Sequence, residues 1–452
     1  MKNLNINCKV IYILLISLFY INTPLIAETI LKFQVKANAI FSDDKFKADL
    51  KLFEKEMKSK GTNVKVDMNI FVGSNSNYFT KQLLKLKSGD DVPDLLWTET
   101  GAAIAWMRAD FLHPLNNYMN SFKNWDNVYY AFKENMSYDG KIYQMPFQTT
   151  VCILYYRKDL FKKAGLDTNW NPKSWDELIS TLEIIKKKLP KVTPLLEHGG
   201  KADGGQATFS GFNLILHAAG GQMMDDNQEK WIVTSKEILD TFKFYEDVTK
   251  KKLVNPRRAI GKEAYNWTNK AFSDAKGAVI IMGAWGFTSL WGPGKKLEIP
   301  NIYENVGYTK VPSKTPGSST RGQDFVAASG GWNLGIPKKS KNKDLAWELM
   351  KFLSDSTRHS KYMTLVSQVG PRSDIAKNPL TKQNKFISDI TAWLPYTYIK
   401  PLTYMEWATN RKKISEGIGN IMIGKWTSMK AMKEYAKFME NKYGKNKVIY
   451  KF

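Results

Sequence analysis

Three short runs in this sequence set a tryptophan beside glycine and small polar groups: Trp97-Thr98-Glu99-Thr100-Gly101, Gly283-Ala284-Trp285-Gly286 and Gly330-Gly331-Trp332-Asn333. A sugar ring has an apolar C–H face and a polar rim. A cleft that binds one needs flat aromatic faces with hydrogen-bonding groups close by. The chain holds 14 Trp, 21 Tyr and 23 Phe, enough to line such a cleft and still fill a core. The competing role for each Trp is plain core packing. Motifs for catalysis do not accompany these runs. The four histidines, His113, His198, His217 and His359, show no His-Glu-x-x-His spacing and no zinc pattern with cysteine. There is no Walker phosphate loop, no Gly-x-Gly-x-x-Gly and no Gly-x-Ser-x-Gly elbow. The glycine-rich stretch Gly199–Gly205 lacks the Lys-Ser/Thr of a phosphate loop and reads as a surface loop. Asp and Glu are plentiful, so composition leaves a paired-carboxylate glycosidase open, yet no local pattern marks such a pair.

The aromatic runs need elements that end beside them. Thr29–Val35 reads as a strand, and Phe46, Leu50, Phe53 and Met57 mark one face of a helix. Val64, Val66, Met68 and Ile70 alternate as a strand does, and 94–97 reads as a short buried strand. This strand–helix–strand rhythm argues for an α/β chain with covered sheets. Ser174-Trp175-Asp176-Glu177 is a capping box before Leu178, Leu182, Ile185 and Leu189, and Pro190 stops that helix. Gly277–Met282 reads as a buried strand, and Val311–Gly317 as a connection. Ser340 is placed to cap a helix carrying Leu345, Leu349 and Phe352. A last helix starts near Thr427 or Ser428 and ends at Gly444.

Composition narrows the class. Of 452 residues, 43% are hydrophobic, which excludes a disordered chain; 30 Gly, 17 Pro and two Cys exclude collagen-like and disulfide-scaffold proteins. No run approaches the roughly 20 apolar residues that span a bilayer. Residues 1–27 read as a cleaved secretory signal, with Lys2 and Lys9 ahead of the apolar stretch Val10–Ile21 and Ala27 before the cut. Cleavage removes Cys8, and the remaining Cys152 is expected as a small buried hydrophobe. The net charge of +24 comes from lysines scattered along the chain, including the runs Lys186–Lys188 and Lys250–Lys252 on polar helix faces. That pattern reads as solvated surface, and no nucleic-acid-binding motif accompanies it.

Longer blocks carry a resemblance. Tyr138-Asp139-Gly140-Lys141-Ile142-Tyr143-Gln144-Met145-Pro146-Phe147 continues to Leu154–Leu166 and Ser174–Leu178. With Pro93–Leu96, Phe111–Leu115, Lys276–Val279 and Gly330–Trp332, this chain resembles the extracellular solute-binding proteins of carbohydrate ABC importers, the maltose-binding-protein-like family. The resemblance implies an α/β, two-lobed type II periplasmic binding protein fold, each lobe a sheet flanked by helices, with the ligand cleft between lobes. It places residues 28–146 and 314–372 in an N-terminal lobe and 147–313 and 373–452 in a C-terminal lobe, with hinge crossings near 145–150, 311–317 and 370–376.

The same resemblance implies site residues. Trp285 and Trp407 match sugar-stacking positions. Gln148, Thr149 and Thr150 occupy the hinge segment that supplies polar contacts, and Thr150 stands where the family has a sugar-binding Glu. Glu99 lies at a strand end facing the cleft, Gly331 and Trp332 on the return crossing, and Arg372 at the third crossing. The implied function is an extracytoplasmic, periplasmic substrate-binding component that delivers a sugar or polyol to an ABC permease. It implies a monomer that is no enzyme, with no cofactor, no metal and no nucleic-acid partner. The chain is also similar to a glycerol-3-phosphate-binding branch, through Tyr78, Glu99 with Gly101, and Arg411 thirteen positions before Gly424. That makes glycerol-3-phosphate or a glycerophosphodiester the alternative ligand, although Trp285 stands where that branch has Ser.

Overall fold

The structure, a computed structural model, describes residues 27–452 except 74, 202–205, 226–228, 367 and 397–406. The expected signal segment, most of the Gly199–Gly205 loop and the side chain of Trp407 therefore lie outside the described residues. No described helix is long and apolar enough to cross a membrane.

The chain opens as its periodicity predicts. Strand β1 (Thr29–Lys36) leads to helix α1 (Asp44–Ser59), whose Phe46, Leu50, Phe53 and Met57 are buried on one face. Asp43 caps α1 by accepting from the Lys45 N–H at 2.8 Å. Strand β2 (Val64–Phe71) pairs in parallel with β1 along its whole length. Helix α2 (Asn75–Ser88) crosses to β3 (Leu95–Glu99), which pairs in parallel with β1 on the other edge. Helix α3 (Thr100–Arg108) leaves directly from the end of β3.

The next strand organises the molecule. Strand β4 (Gln144–Arg157) runs for 14 residues through the middle of an eight-stranded sheet. Helix α4 (Trp175–Lys188) follows, with Ser174 as its cap. Glu177 reaches back to the Lys173 N–H at 2.7 Å, one residue before the position a standard capping box uses. Then come β5 (Thr193–Leu196), helix α5 (Lys236–Lys250), β6 (Gly277–Gly283), β7 (Val306–Thr309) and β8 (Ala328–Gly335). The sheet order is β2-β1-β3-β8-β4-β6-β5, with β7 also on β4. The first half of β4 pairs with β8, and from Cys152 onward β4 pairs with β6 on its opposite edge. Beyond Leu154, β7 takes over the edge that β8 has left.

Of the apolar cores along this sheet, two share its length between them. One gathers β1, β3 and α1 with helices α6 (Lys343–Leu353) and α7 (Ser356–Val366). The other gathers the second half of β4, α4, α5 and β6, and it includes the buried Cys152. A further cluster packs α5 against helices α8 (Trp407–Met422) and α9 (Ser428–Tyr443), with Gly444 closing α9.

Two expectations shift. Helix α6 begins at Lys343, not at a Ser340 cap. Ser340 Oγ instead donates to Asp94 Oδ1 at 2.7 Å and accepts from the Asn342 N–H at 3.1 Å. The segment expected as the second crossing, 311–317, stays with the second core. Val311 pairs with Val326 in a small hairpin, both pack in that core, and Lys314 bonds Ala218 through its N–H and Asp240 through its ammonium.

At Pro146–Gln148 the pairing of β4 with β8 slips by one residue, so Phe147 has no partner on β8. Proline has no N–H to give a ladder, and bulges are where sheets accept it. The Phe147 carbonyl is taken by Nε2 of buried His359, whose ring stacks on Phe147 at 4.4 Å. A carbonyl only accepts, so Nε2 carries the proton. Burial, then the nearby Arg372 charge, drive the His359 pKa down to about 3. The folded protein thus holds His359 neutral, while the unfolded chain binds a proton below its ordinary value. This contribution is fully present above about pH 6.5 and is lost as pH falls toward 3. We expect it to reach on the order of 3 kcal/mol by pH 4. Urea unfolding at pH 7 and pH 4 checks it: His359→Gln should lose clearly less stability between the two than wild type, and an equal loss refutes the assignment.

Candidate ligand-binding cleft

In sheets of this kind ligands bind beyond the carboxyl ends of parallel strands, where the strand order reverses. Here β1 and β3 end side by side, α3 begins, and β4 and β8 cross. A cavity of about 560 Å³ lies at that point. The register puts three side chains in one row: Trp332 of β8 is opposite Glu99 of β3 on one edge and Gln148 of β4 on the other. All three line the cavity, with Gly330, Gly331, Thr149 and Thr150 from the next positions.

Behind this row a polar network ties the three strands together. Gln144 Nε2 donates to Thr98 Oγ1 at 2.7 Å, and Asn333 Nδ2 donates to Gln144 Oε1 at 3.1 Å and to Thr100 Oγ1 at 3.3 Å. Thr98 and Thr100 hydroxyls donate to the Asn333 and Gly331 carbonyls. Buried groups satisfied in this way hold one arrangement, because any alternative leaves a polar atom unpaired.

Gln148 is aimed by its neighbour. Asn38 Oδ1 accepts from the Ile40 N–H at 3.1 Å, which turns Asn38 Nδ2 onto Gln148 Oε1 at 2.9 Å. Gln148 therefore brings its amide NH₂ donors to the cavity wall. The Thr149 N–H bonds the Val369 carbonyl at 3.2 Å and its hydroxyl donates to the Gly330 carbonyl at 2.9 Å. Thus β4, β8 and the third chain crossing meet at Thr149.

The opposite wall comes from the chain just after β6 and from α8. Trp285 follows β6, half-buried, and its Nε1 donates to Tyr265 Oη at 3.2 Å. Its ring lies over Gly283, where a Cβ would come within 1.8 Å of it. Arg411, on α8 one turn before the buried Ile414, lines the same cavity. Burial pushes the Glu99 carboxyl above the usual range. Arg411 across the cavity pulls it back, as do the Gly101 and Ala102 amides at the start of α3. A Cβ on Gly101 would stand 3.4 Å from that carboxylate, an ordinary contact, so the carboxylate lies directly over the start of α3.

Of the expected residues, Glu99, Gln148, Thr149, Thr150, Trp285, Gly331, Trp332 and Arg411 meet at this cavity. Two are elsewhere. Tyr78 is fully buried behind it, and its hydroxyl donates to the Trp97 carbonyl at 2.7 Å, pinning β3 two residues before Glu99. Arg372 is fully buried: its Nε donates to Asp374 at 2.9 Å, its Nη1 donates to the Ser354 carbonyl, and it lies 5.5 Å over the Phe122 ring. Both side chains are bonded within the fold, and neither is among the residues that line the cavity. Trp332 lines the wall, but its ring already stacks on Trp97 (7°) and Phe79 (27°). Trp97, from the first of the three aromatic runs, also lines the cavity, as do Lys36, Asn38, Gln206, Phe209 and Gln368, which were not expected. Lys36 is the last residue of a strand that ends next to β3, a signal that needed the sheet order to be read.

Comparison with known proteins agrees with this architecture. The family described as bacterial extracellular solute-binding protein matches residues 42–357. The chain is 27% identical over 313 residues to the multiple sugar-binding protein of Streptococcus mutans, covering 65% of this chain and 67% of that protein. It is 23% identical over 339 residues to the arabinooligosaccharide-binding protein of Bacillus subtilis, covering 74% and 72%. A solute-binding protein of an ABC transporter from Thermotoga lettingae, solved with α-D-tagatose bound, superposes with a TM-score of 0.72 at 22% identity, covering 91% of this chain and 99% of that one.

Two glycines should control the cleft. Gly283→Ala must displace the Trp285 ring, so near-UV circular dichroism should change while far-UV signal stays, with a loss of about 1–3 kcal/mol. Gly331→Ala would set a Cβ 2.2 Å from the Gln148 carbonyl oxygen, contact with backbone that cannot swing aside. Chemical denaturation should show a loss of about 2 kcal/mol or more for Gly331→Ala; unchanged stability in both variants would mean the crossing is looser than described.

Proposed function

Because this chain belongs to the bacterial extracellular solute-binding protein family, we propose that it binds a sugar or polyol in the cavity between its two cores and delivers it to the permease of an ABC importer. The reading includes export through a cleaved signal segment and action as a periplasmic monomer. We further propose lobes comprising 28–146 with 328–372, and 147–327 with 373–452. That assignment moves 314–327 to the second lobe, in keeping with where this segment packs.

One observation carries the functional reading. Glu99, Trp332 and Gln148 stand in a row on one wall, and Trp285 with Arg411 stands on the other. A ring held between these walls has its apolar face on Trp285, while Glu99 accepts from its hydroxyls and Gln148 donates to them. Closure of the walls removes both faces from water, the working motion of hinged binders. The named ligands of the relatives, sugars and an oligosaccharide, fit a cavity of this size and lining.

A thermal-shift screen of mono- and disaccharides, polyols and glycerol-3-phosphate tests it. At a hundredfold excess over Kd a ligand adds about 2.7 kcal/mol, a rise of several degrees. At least one sugar or polyol should give that rise. Trp285→Ala should then weaken binding by about tenfold, corresponding to about 1.4 kcal/mol of stacking. A response to glycerol-3-phosphate alone would overturn the carbohydrate reading in favour of phosphate-ester binding.

A further inference from the structure

The charges that face the cavity do not balance. Among the described lining residues three are ionisable: Lys36, Glu99 and Arg411. Glu99 and Arg411 act on one another across the space, each favouring the other's charged form. Lys36 stands apart from that pair. It ends β1, half-buried, and burial is the one influence on its ammonium, holding its pKa below the usual lysine range; no described carboxylate acts on it. Lys32, four residues earlier on the same strand, shows the ordinary arrangement, an ion pair with Asp91 at 2.7 Å. A partly desolvated cation without a counter-charge costs free energy, and proteins keep one where a bound anion completes it.

Resting on the carbohydrate reading above, we propose that the ligand is an acidic sugar, a hydroxylated ring or chain bearing one carboxylate, and that Lys36 seats that carboxylate. The geometry divides the labour. Lys36 ends β1 and lines the same cavity as Gln148 and Glu99, so an anionic group seated on it leaves the hydroxyls to those two. The apolar face then lies toward Trp285. A phosphate monoester fits less well. It carries nearly two negative charges, and its oxygens would face the Glu99 carboxylate with one unmatched cation to meet them.

Calorimetric titration of the purified full chain tests this with defined probes. D-galacturonate, D-glucuronate, D-gluconate and digalacturonate are compared with D-galactose, D-glucose, sorbitol, maltose and glycerol-3-phosphate, at low and at high salt. We expect at least one acid to bind about tenfold or more tighter than its neutral counterpart at low salt. That advantage should shrink as salt screens it. In Lys36→Met and in Lys36→Gln the ratio of acid to neutral affinity should fall toward one, with far-UV circular dichroism showing both variants folded. Neutral probes binding as well as the acids, or an acid preference that survives both substitutions, would overturn the proposal and leave the carbohydrate reading standing. Binding of glycerol-3-phosphate alone, or of no probe, would overturn both.

Discussion

A Cβ on Gly331 would sit 2.2 Å from the carbonyl oxygen of Gln148, and the rest of the site depends on its absence. Glycine there lets β8 lie close enough to β4 to share a ladder with it while also pairing with β3. Those two pairings place Glu99, Trp332 and Gln148 in a row. A strand that had to stand off from β4 would break the row and open the polar network of Thr98, Gln144, Asn333 and Thr100 behind it. The fold and the binding surface are thus fixed by the same backbone contact.

The bulge at Phe147 extends this logic to movement. A strand that serves two cores must bend where it passes from one to the other, and the extra residue supplies the bend. The carbonyl it releases from the ladder is held by His359 of α7. The third chain crossing is held one position beyond Gln148, where Val369 accepts from Thr149. Two segments remote in sequence therefore clamp β4 within three residues of each other. Holding β4 at two nearby points fits the hinged closure proposed for the two walls.

How much of this was legible in the sequence follows from range. Alternation at Val64–Ile70, the buried face of α1 and the Ser174 cap are local patterns, and they stand where periodicity puts them. Trp285 and Glu99 were visible because large or charged residues beside glycine at element ends have few structural uses. Lys36 and Asn38 were not, since β1 acquires its role only when β3 lies beside it. Tyr78 and Arg372 show the opposite failure. Each is a polar side chain near the cleft in sequence, but the structure bonds it to the Trp97 carbonyl or the Asp374 carboxylate, and neither lines the cavity. A Pro- and Gly-bearing stretch at 311–317 looks like a linker, yet the pairing of Val311 with Val326 makes it a hairpin on the second core.

Charge in the cleft has to be weighed against charge on the surface. The chain carries +24 overall, and most of its lysines meet solvent or an acidic neighbour, where each contributes little. A cation inside a partly dry cavity is different, because lower dielectric strengthens every interaction it makes. Surface lysines raise the encounter rate of any anion and give no preference among them. In the proposed cleft, selectivity among ligands comes from the cavity itself: from Lys36 for charge, from Glu99 and Gln148 for hydroxyl pattern, and from Trp285 for ring face. A neutral sugar would satisfy the last two and leave Lys36 facing a hydroxyl, a hydrogen bond without a counter-charge. The remaining imbalance is what separates an acidic ligand from its neutral counterpart in a cleft otherwise built for both.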